Sequence, residues 1–168
     1  MLDESLQGRF DACMSFGLAE HFSGEQRQNV FKAHLDLLKD GGVAVVSVPY
    51  RFCPTYRLWL SAARITGRFK LPETGFSRSE LRRIATRLGV DDYHLYGMNF
   101  CFSIDSHLLA FPKYVLRHLG LPAEYMPLPD VRLPLVDNLF GSRLLFVARN
   151  HSRSTSEDNS RSRSSAEG

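Results

Sequence analysis

The chain has no apolar run long enough to cross a bilayer. Its most hydrophobic stretch, Val43–Val48, is stopped by Pro49, whereas a spanning helix needs about 20 residues. Cysteine is scarce: Cys13, Cys53 and Cys101 are odd in number, far apart and set among apolar or aromatic neighbours. That spacing argues against a disulfide frame and against a zinc site, and it fits a reducing compartment. Excess charge of one sign is also lacking. The net charge is only +3 over 168 residues and the basic residues are scattered, so bulk electrostatics give no support to a nucleic-acid partner. The opening MLDESLQGRF is acidic and then polar, without the apolar core of a signal segment. These absences together predict a soluble, cytoplasmic chain with no membrane span. No internal repeat is visible, and after Asn150 no large apolar residue occurs.

What is present is an ordinary globular composition, 43% hydrophobic and 23% charged, enough for one domain. Phe10–Phe16 is short, apolar and aromatic, and reads as a strand ending near Gly17. Ser23 with Gln26 has the form of a capping box. Val30, Phe31, His34, Leu35, Leu37 and Leu38 then recur at helical spacing, with Gly41 as the stop. Val43–Val48 holds four valines in six residues and reads as a strand covered by helices on both faces. Tyr56–Ile65 suggests a short helix before Gly67. Ser77-Arg78-Ser79-Glu80 is a second capping box, leading a helix through Leu81, Ile84, Ala85 and Leu88 to Gly89. Val90–Phe102 reads as a strand, Ser106–Leu119 as a helix despite Pro112, and Leu144–Ala148 as a final strand. Pro122, Pro127, Pro129 and Pro134 suggest an extended segment between them. From 151 to 168, three arginines face three acids among serines. That composition predicts a solvated, disordered tail rather than a phosphate-binding arm.

Strand, small-residue turn, helix, Gly-Gly turn, strand is the order of a βαβ unit. In detail it resembles the second half of a class I S-adenosylmethionine-dependent methyltransferase. In that family the fourth strand reads like Phe-Asp-x-x-x-Ser and runs into Glu-His; here Phe10, Asp11, Ser15, Glu20 and His21 fall in that order. Lys39-Asp40-Gly41-Gly42 and Val48-Pro49 match the family's approach to, and exit from, its fifth strand. Gly75–Leu81 resembles the start of the last large helix, and Gly141–Arg149 the closing strand. The resemblance runs from Phe10 to about Arg149. It implies an α/β, partial Rossmann-like methyltransferase fold: a mixed sheet, helices on both faces and an antiparallel last strand. Residues 1–150 would be the C-terminal part of such a domain, with 99–140 a helical, proline-rich insert. Only nine residues precede Phe10, where the family carries three strands and a glycine-rich cofactor loop. The reading is therefore of a domain truncated at its N-terminus.

What the resemblance implies for chemistry follows residue by residue. Ser15, Phe16, Gly17 and Leu18 would form the turn beside S-adenosylmethionine, with Glu20 close behind; the alternative is a turn that binds nothing. His21 is the candidate base, since imidazole titrates near neutrality; the alternative is a residue that orients the next helix. Some family members have Glu-x-x-Glu-His here and hold magnesium. This chain has Gly17-Leu18-Ala19-Glu20-His21, which lacks the first carboxylate, so no metal is expected. Pro49, Tyr50 and Tyr56, with Arg51 nearby, follow the fifth strand where an acceptor would lie, and ordinary packing is the alternative. The expected activity is methyl transfer to an unidentified small-molecule acceptor. Two rivals remain: a non-catalytic interaction module that pairs or self-associates through the strand edge 10–16, and a gene fragment with no function of its own.

Overall fold

The computed structural model describes residues 4–67, 73–104 and 133–151, with 106, 109, 112, 116 and 118–120 besides. In chain order the main elements are β1 (Phe10–Phe16), a 3-10 turn (Ala19–His21), α1 (Glu25–Asp36), β2 (Leu38–Pro49), α2 (Pro54–Ile65) and α3 (Arg78–Leu88). After them come β3 (Tyr93–Met98), α4 (Phe100–Ser103), α5 (Pro134–Phe140) and β4 (Arg143–Arg149). The sheet order is β1-β2-β4-β3. β1 and β2 are parallel, while β4 runs antiparallel to both of its neighbours. The sheet is therefore mixed, with its last strand antiparallel.

β2 is hydrogen-bonded on both sides, and its burial alternates. Ala44, Val46 and Val48 are inaccessible, whereas Val43 and Val45 on the opposite face are half-buried. The closed face packs on Phe31 of α1, on Leu81, Ile84 and Ala85 of α3, and on Phe76. Phe31 meets Phe76 and Phe146 edge-on, at 5.7 and 5.3 Å between ring centres, the arrangement that aromatic quadrupoles favour. Each fully buried Leu or Phe here contributes about 1.5–3 kcal/mol. The all-apolar run thus covers one face more completely than the other. β1 is an edge strand: Met14 is 62% and Phe16 66% exposed.

Several expected boundaries move, each for a local reason. Ser23 does not cap α1; the N-cap is Gly24, at φ 55°, and no side chain bonds there. Gly41 is not the helix stop either, because α1 ends at Asp36 and Leu37 turns its carbonyl to the amides of Arg9 and Phe10, at 3.1 and 3.0 Å. Lys39–Gly42 is instead an excursion within β2, since Phe10 pairs with Leu38 while Ala12 already pairs with Val43. Asn150 closes that excursion: its Nδ2 donates to the Leu38 carbonyl at 3.0 Å and its amide to that of Gly42 at 2.8 Å. The strand expected over Val90–Phe102 is shorter because Asn99 turns left-handed, at φ 68°, and α4 begins. Pro134 is not extended; it opens α5, where a missing amide leaves no hydrogen bond unmade. Most of the helix expected at 106–119, Pro122, Pro127, Pro129 and the tail from 152 lie outside the described residues. Among the described residues no helix is long and apolar enough to cross a membrane.

The serine half of the second capping box forms, while the Glu80 carboxylate turns to Arg27 and Arg51 instead of the Ser77 amide. Ser77 Oγ accepts the Glu80 amide at 3.1 Å, and Gly89 closes the helix at φ 67°. Ser77→Ala is therefore expected to lower stability by about 1 kcal/mol. Ser23→Ala, which removes no cap, is expected to stay within about 0.5 kcal/mol of the parent. Urea midpoints of the two variants check the contrast.

Candidate active site

Because β1 and β2 are parallel neighbours, their carboxyl ends open on the same edge of the sheet, where ligands of open α/β folds collect. The Gly17 amide donates to the Ser47 carbonyl at 3.2 Å, locking the end of β1 beside β2. Gly17 has φ 76°, a conformation that suits glycine and lets the chain turn sharply into Ala19–His21. Ser15, Phe16, Gly17, Leu18 and Glu20 thus lie together at one strand end, and Pro49 and Tyr50 at the next. The segment 73–76 ties the two together. Thr74 donates its amide to the Glu20 carbonyl at 3.1 Å, Phe76 to that of Pro49 at 2.8 Å, and Arg51 to that of Phe76 at 2.9 Å.

Exposure differs sharply among these residues. Phe16 and Leu18 present apolar surface to solvent. The Ser15 hydroxyl is shut off from solvent and has no hydrogen-bond partner among the described residues. Pro49 is buried and Tyr50 half-buried, with its ring edge-on to Phe52 and the Arg78 guanidinium 5.9 Å from its centre. Tyr56, on α2, is buried and donates its hydroxyl to Glu73 Oε1 at 2.5 Å. The His21 side chain is exposed at the end of the 3-10 turn.

Two carboxylates dominate the electrostatics. Glu20 is only 4% exposed, and its Oε2 has no partner among the described residues. Burial raises its pKa and its own backbone amide pulls the other way. Glu73 adds a further raise, while His21 and Arg143 oppose it. Tyr56 is pushed far above the usual phenol range, first by burial and then by its bond to Glu73. Glu73 was not visible as a site residue in the sequence, since no motif marks it. The indirect signal is its place in Glu73-Thr74-Gly75-Phe76, directly before the Ser77 cap, where the chain must return to the sheet edge.

The same edge continues across the sheet. Met98 at the end of β3 pairs with Arg143, which pairs with Pro49. Beyond Met98 lies a cavity of about 400 Å³, lined by Tyr96, Asn99, Phe100, Phe102, Asn138 and Leu145 among others. Its walls are fixed by α5: Asp137 accepts the Phe100 and Leu133 amides at 2.9 and 3.1 Å, and Asn138 Oδ1 accepts the Gly97 amide at 2.8 Å. A Cβ at Gly97 would overlap the Asp137 carbonyl oxygen, so this close approach requires glycine. Part of the insert recognised in the sequence thus forms a compartment on the edge.

A fold similar to this one is found in known structures. The chain is similar to a Thermotoga maritima SAM-dependent methyltransferase, with a TM-score of 0.52 at 15% identity, over 86% of this chain and 57% of that one. It is equally similar to a chain from the Trm112 methyltransferase activator complex of Haloferax volcanii, with a TM-score of 0.52 at 14% identity, over 87% of this chain and 56% of that one. The fold is that of the class I methyltransferases. The chain spans little more than half the length of these methyltransferase-fold neighbours. No protein-family model matches it, and no curated protein does.

Glu20 sits in the turn that follows β1, and its burial sets a pH dependence. A carboxyl whose folded pKa lies above the ordinary 4.5 binds more protons folded than unfolded. Stability is then greatest below 4.5 as far as this group is concerned, and falls as pH rises through the folded value. Glu20→Gln is expected to flatten that decline and raise the melting temperature at pH 7. Melting curves of both proteins from pH 4 to pH 8 test it, and parallel curves would contradict it.

Proposed function

We propose that the chain takes part in S-adenosylmethionine-dependent methyl transfer, with its site at the carboxyl ends of β1, β2 and β3. The observation that carries this reading is the turn Ser15–Glu20, set where two parallel strands end and bearing an orphaned hydroxyl and carboxylate oxygen. A folded protein leaves few such atoms unsatisfied, and those that remain ask for a partner. The cofactor would supply an electrophilic methyl group on a sulfonium. The residues here fit one side of it: Gly17 allows close backbone approach, Phe16 and Leu18 offer apolar surface, and the Ser15 hydroxyl offers a hydrogen bond. Glu20 supplies negative charge toward a cationic group.

Catalysis of such a displacement rests mainly on holding donor and acceptor in line. Tyr50 and the cavity beyond Met98 would flank a small-molecule acceptor. His21 is the candidate base for acceptors that must lose a proton. Pro49 and Tyr56 contribute from behind by fixing the wall, since both are buried. These residues make one wall of a crevice, so cofactor binding to this chain alone is expected to be weak. Titration with S-adenosylhomocysteine should shift amide signals at Ser15–Glu20 and leave those of α3 in place. A dissociation constant near 1 μM, about −8 kcal/mol, would show that one wall suffices. No shift at millimolar ligand would remove the reading.

A second reading is favoured by one feature, the apolar edge. Among the described residues no strand pairs with the outer edge of β1, which exposes Phe10, Met14 and Phe16, with Asp11 its only charge and no proline. Natural edges carry more protection than this. We propose that another strand pairs there, from a second copy or a partner chain, whether or not the site is catalytic. Met14→Lys is expected to shift the sedimentation profile toward monomer. A parent that is monomeric at high concentration would sink the idea.

A further inference from the structure

Bordering the candidate methyl-transfer edge at Arg51, another cavity of about 320 Å³ lies between the start of α1 and one stripe of α3. Its charged lining is Arg27, Arg51, Arg83 and Arg87 against Glu25 and Glu80, an excess of two positive charges with no lysine or histidine among the lining residues. Glu80 is shared: Arg27 Nε lies 3.0 Å from one of its oxygens and Arg51 3.8 Å from the other. Arg27, 7% exposed, is held further by the Phe76 ring at 3.5 Å and the Gly75 carbonyl at 3.3 Å. Arg51 Nε also donates to the Gly75 carbonyl, at 3.3 Å. One carboxylate thus positions two guanidiniums without neutralising both.

The other two arginines are poised rather than paired. Arg83 donates only within its own helix, to the Ser79 carbonyl at 3.4 Å, and Arg87 has no ion pair among the described residues. Glu80, Arg83 and Arg87 recur at helical spacing, so α3 turns one charged stripe to the cavity while Leu81, Ile84 and Ala85 face the core. The α1 N-terminus beside it has no side-chain cap, so its first amides also favour an anion. Gathering like charges around a concavity is unfavourable unless a ligand offsets them, and planar guanidiniums suit tetrahedral oxyanions in particular.

We propose that this cavity binds a dianionic phosphate group, free or as the monoester of a small molecule. The charge excess of two matches a phosphate dianion. The volume sits at the lower end of small-ligand sites and leaves room for a small organic substituent. The proposal does not rest on the methyl-transfer reading, although the loop after β2 that carries Arg51 borders both sites.

Calorimetric titration of the whole chain at low salt, with inorganic phosphate and with phenyl phosphate, tests it. Saturable binding is expected, weakened about tenfold or more in R83A/R87A and less in R83K/R87K, which keeps the charge but loses the fork. R82A removes one positive charge from another exposed position of α3, outside the cavity, and is expected to change binding by less than about twofold. Circular dichroism confirms that each variant is folded. Tighter binding of phenyl phosphate assigns the site to an ester, and equal binding to free phosphate. The proposal is overturned if neither probe binds at about 10 mM, if R83A/R87A binds as the parent does, or if R82A weakens binding as much as R83A/R87A.

Discussion

Everything in this molecule hangs on the double pairing of β2. It is parallel to β1 through Ala12–Phe16 and antiparallel to β4 along Val43–Pro49, so one strand fixes the direction of the whole sheet. Its inward residues, Ala44, Val46 and Val48, also make the floor on which α1 and α3 rest. A one-residue slip would turn these side chains to the open face and Val43 and Val45 inward. The excursion at Lys39–Gly42 guards the register. Gly42 is packed against Leu38 and the Phe10 carbonyl, where a side chain would be tight, and Asn150 pins it from the end of the neighbouring β4.

That constraint also explains why the candidate site lies where it does. Two parallel strands of matched register must end together, and their exits must diverge at once to let α1 and α2 leave on different paths. The Gly17 turn and the Tyr50–Arg51 turn are those exits, and segment 73–76 is drawn between them by three backbone hydrogen bonds. Glu20 and Glu73 are brought near each other by this crowding of chain, not by any sequence proximity. The site is thus a consequence of sheet topology first and of residue choice second.

Legibility followed range. The Ser77 cap and the Gly89 stop were readable because both are settled within one helical turn. The strand at Val43–Val48 was readable because burial demands apolar residues, and Phe10–Phe16 was readable from its apolar and aromatic run although most of it is exposed. Ser23 misled because its motif is equally local, but Gly24 takes the cap position and leaves the serine one residue too early. Gly41 misled because its left-handed turn serves the β2 excursion, closed by Asn150 more than a hundred residues away in sequence. Pro134 carries the same ambiguity, for a proline that bars a helix interior is welcome at its first position. Glu73 and the Arg51–Glu80 pair depend on tertiary contacts alone, and no window of the sequence contains them.

The two acidic residues Glu20 and Glu80 illustrate how burial decides what a carboxylate can do. Glu80 stands between Arg27 and Arg51 and is partly solvated, and it organises the guanidiniums around it. Glu20 is more deeply buried, has no direct cation contact among the described residues and faces a second carboxylate. Desolvation without a partner disfavours its charged form. Such a residue costs stability in the isolated fold, and it lies at the strand end where a ligand of this fold class would approach. An uncompensated charge at a strand end is the kind of local conflict that marks a site rather than a scaffold. The arginine cavity between α1 and α3 carries the opposite sign, an excess of two positive charges gathered around one carboxylate.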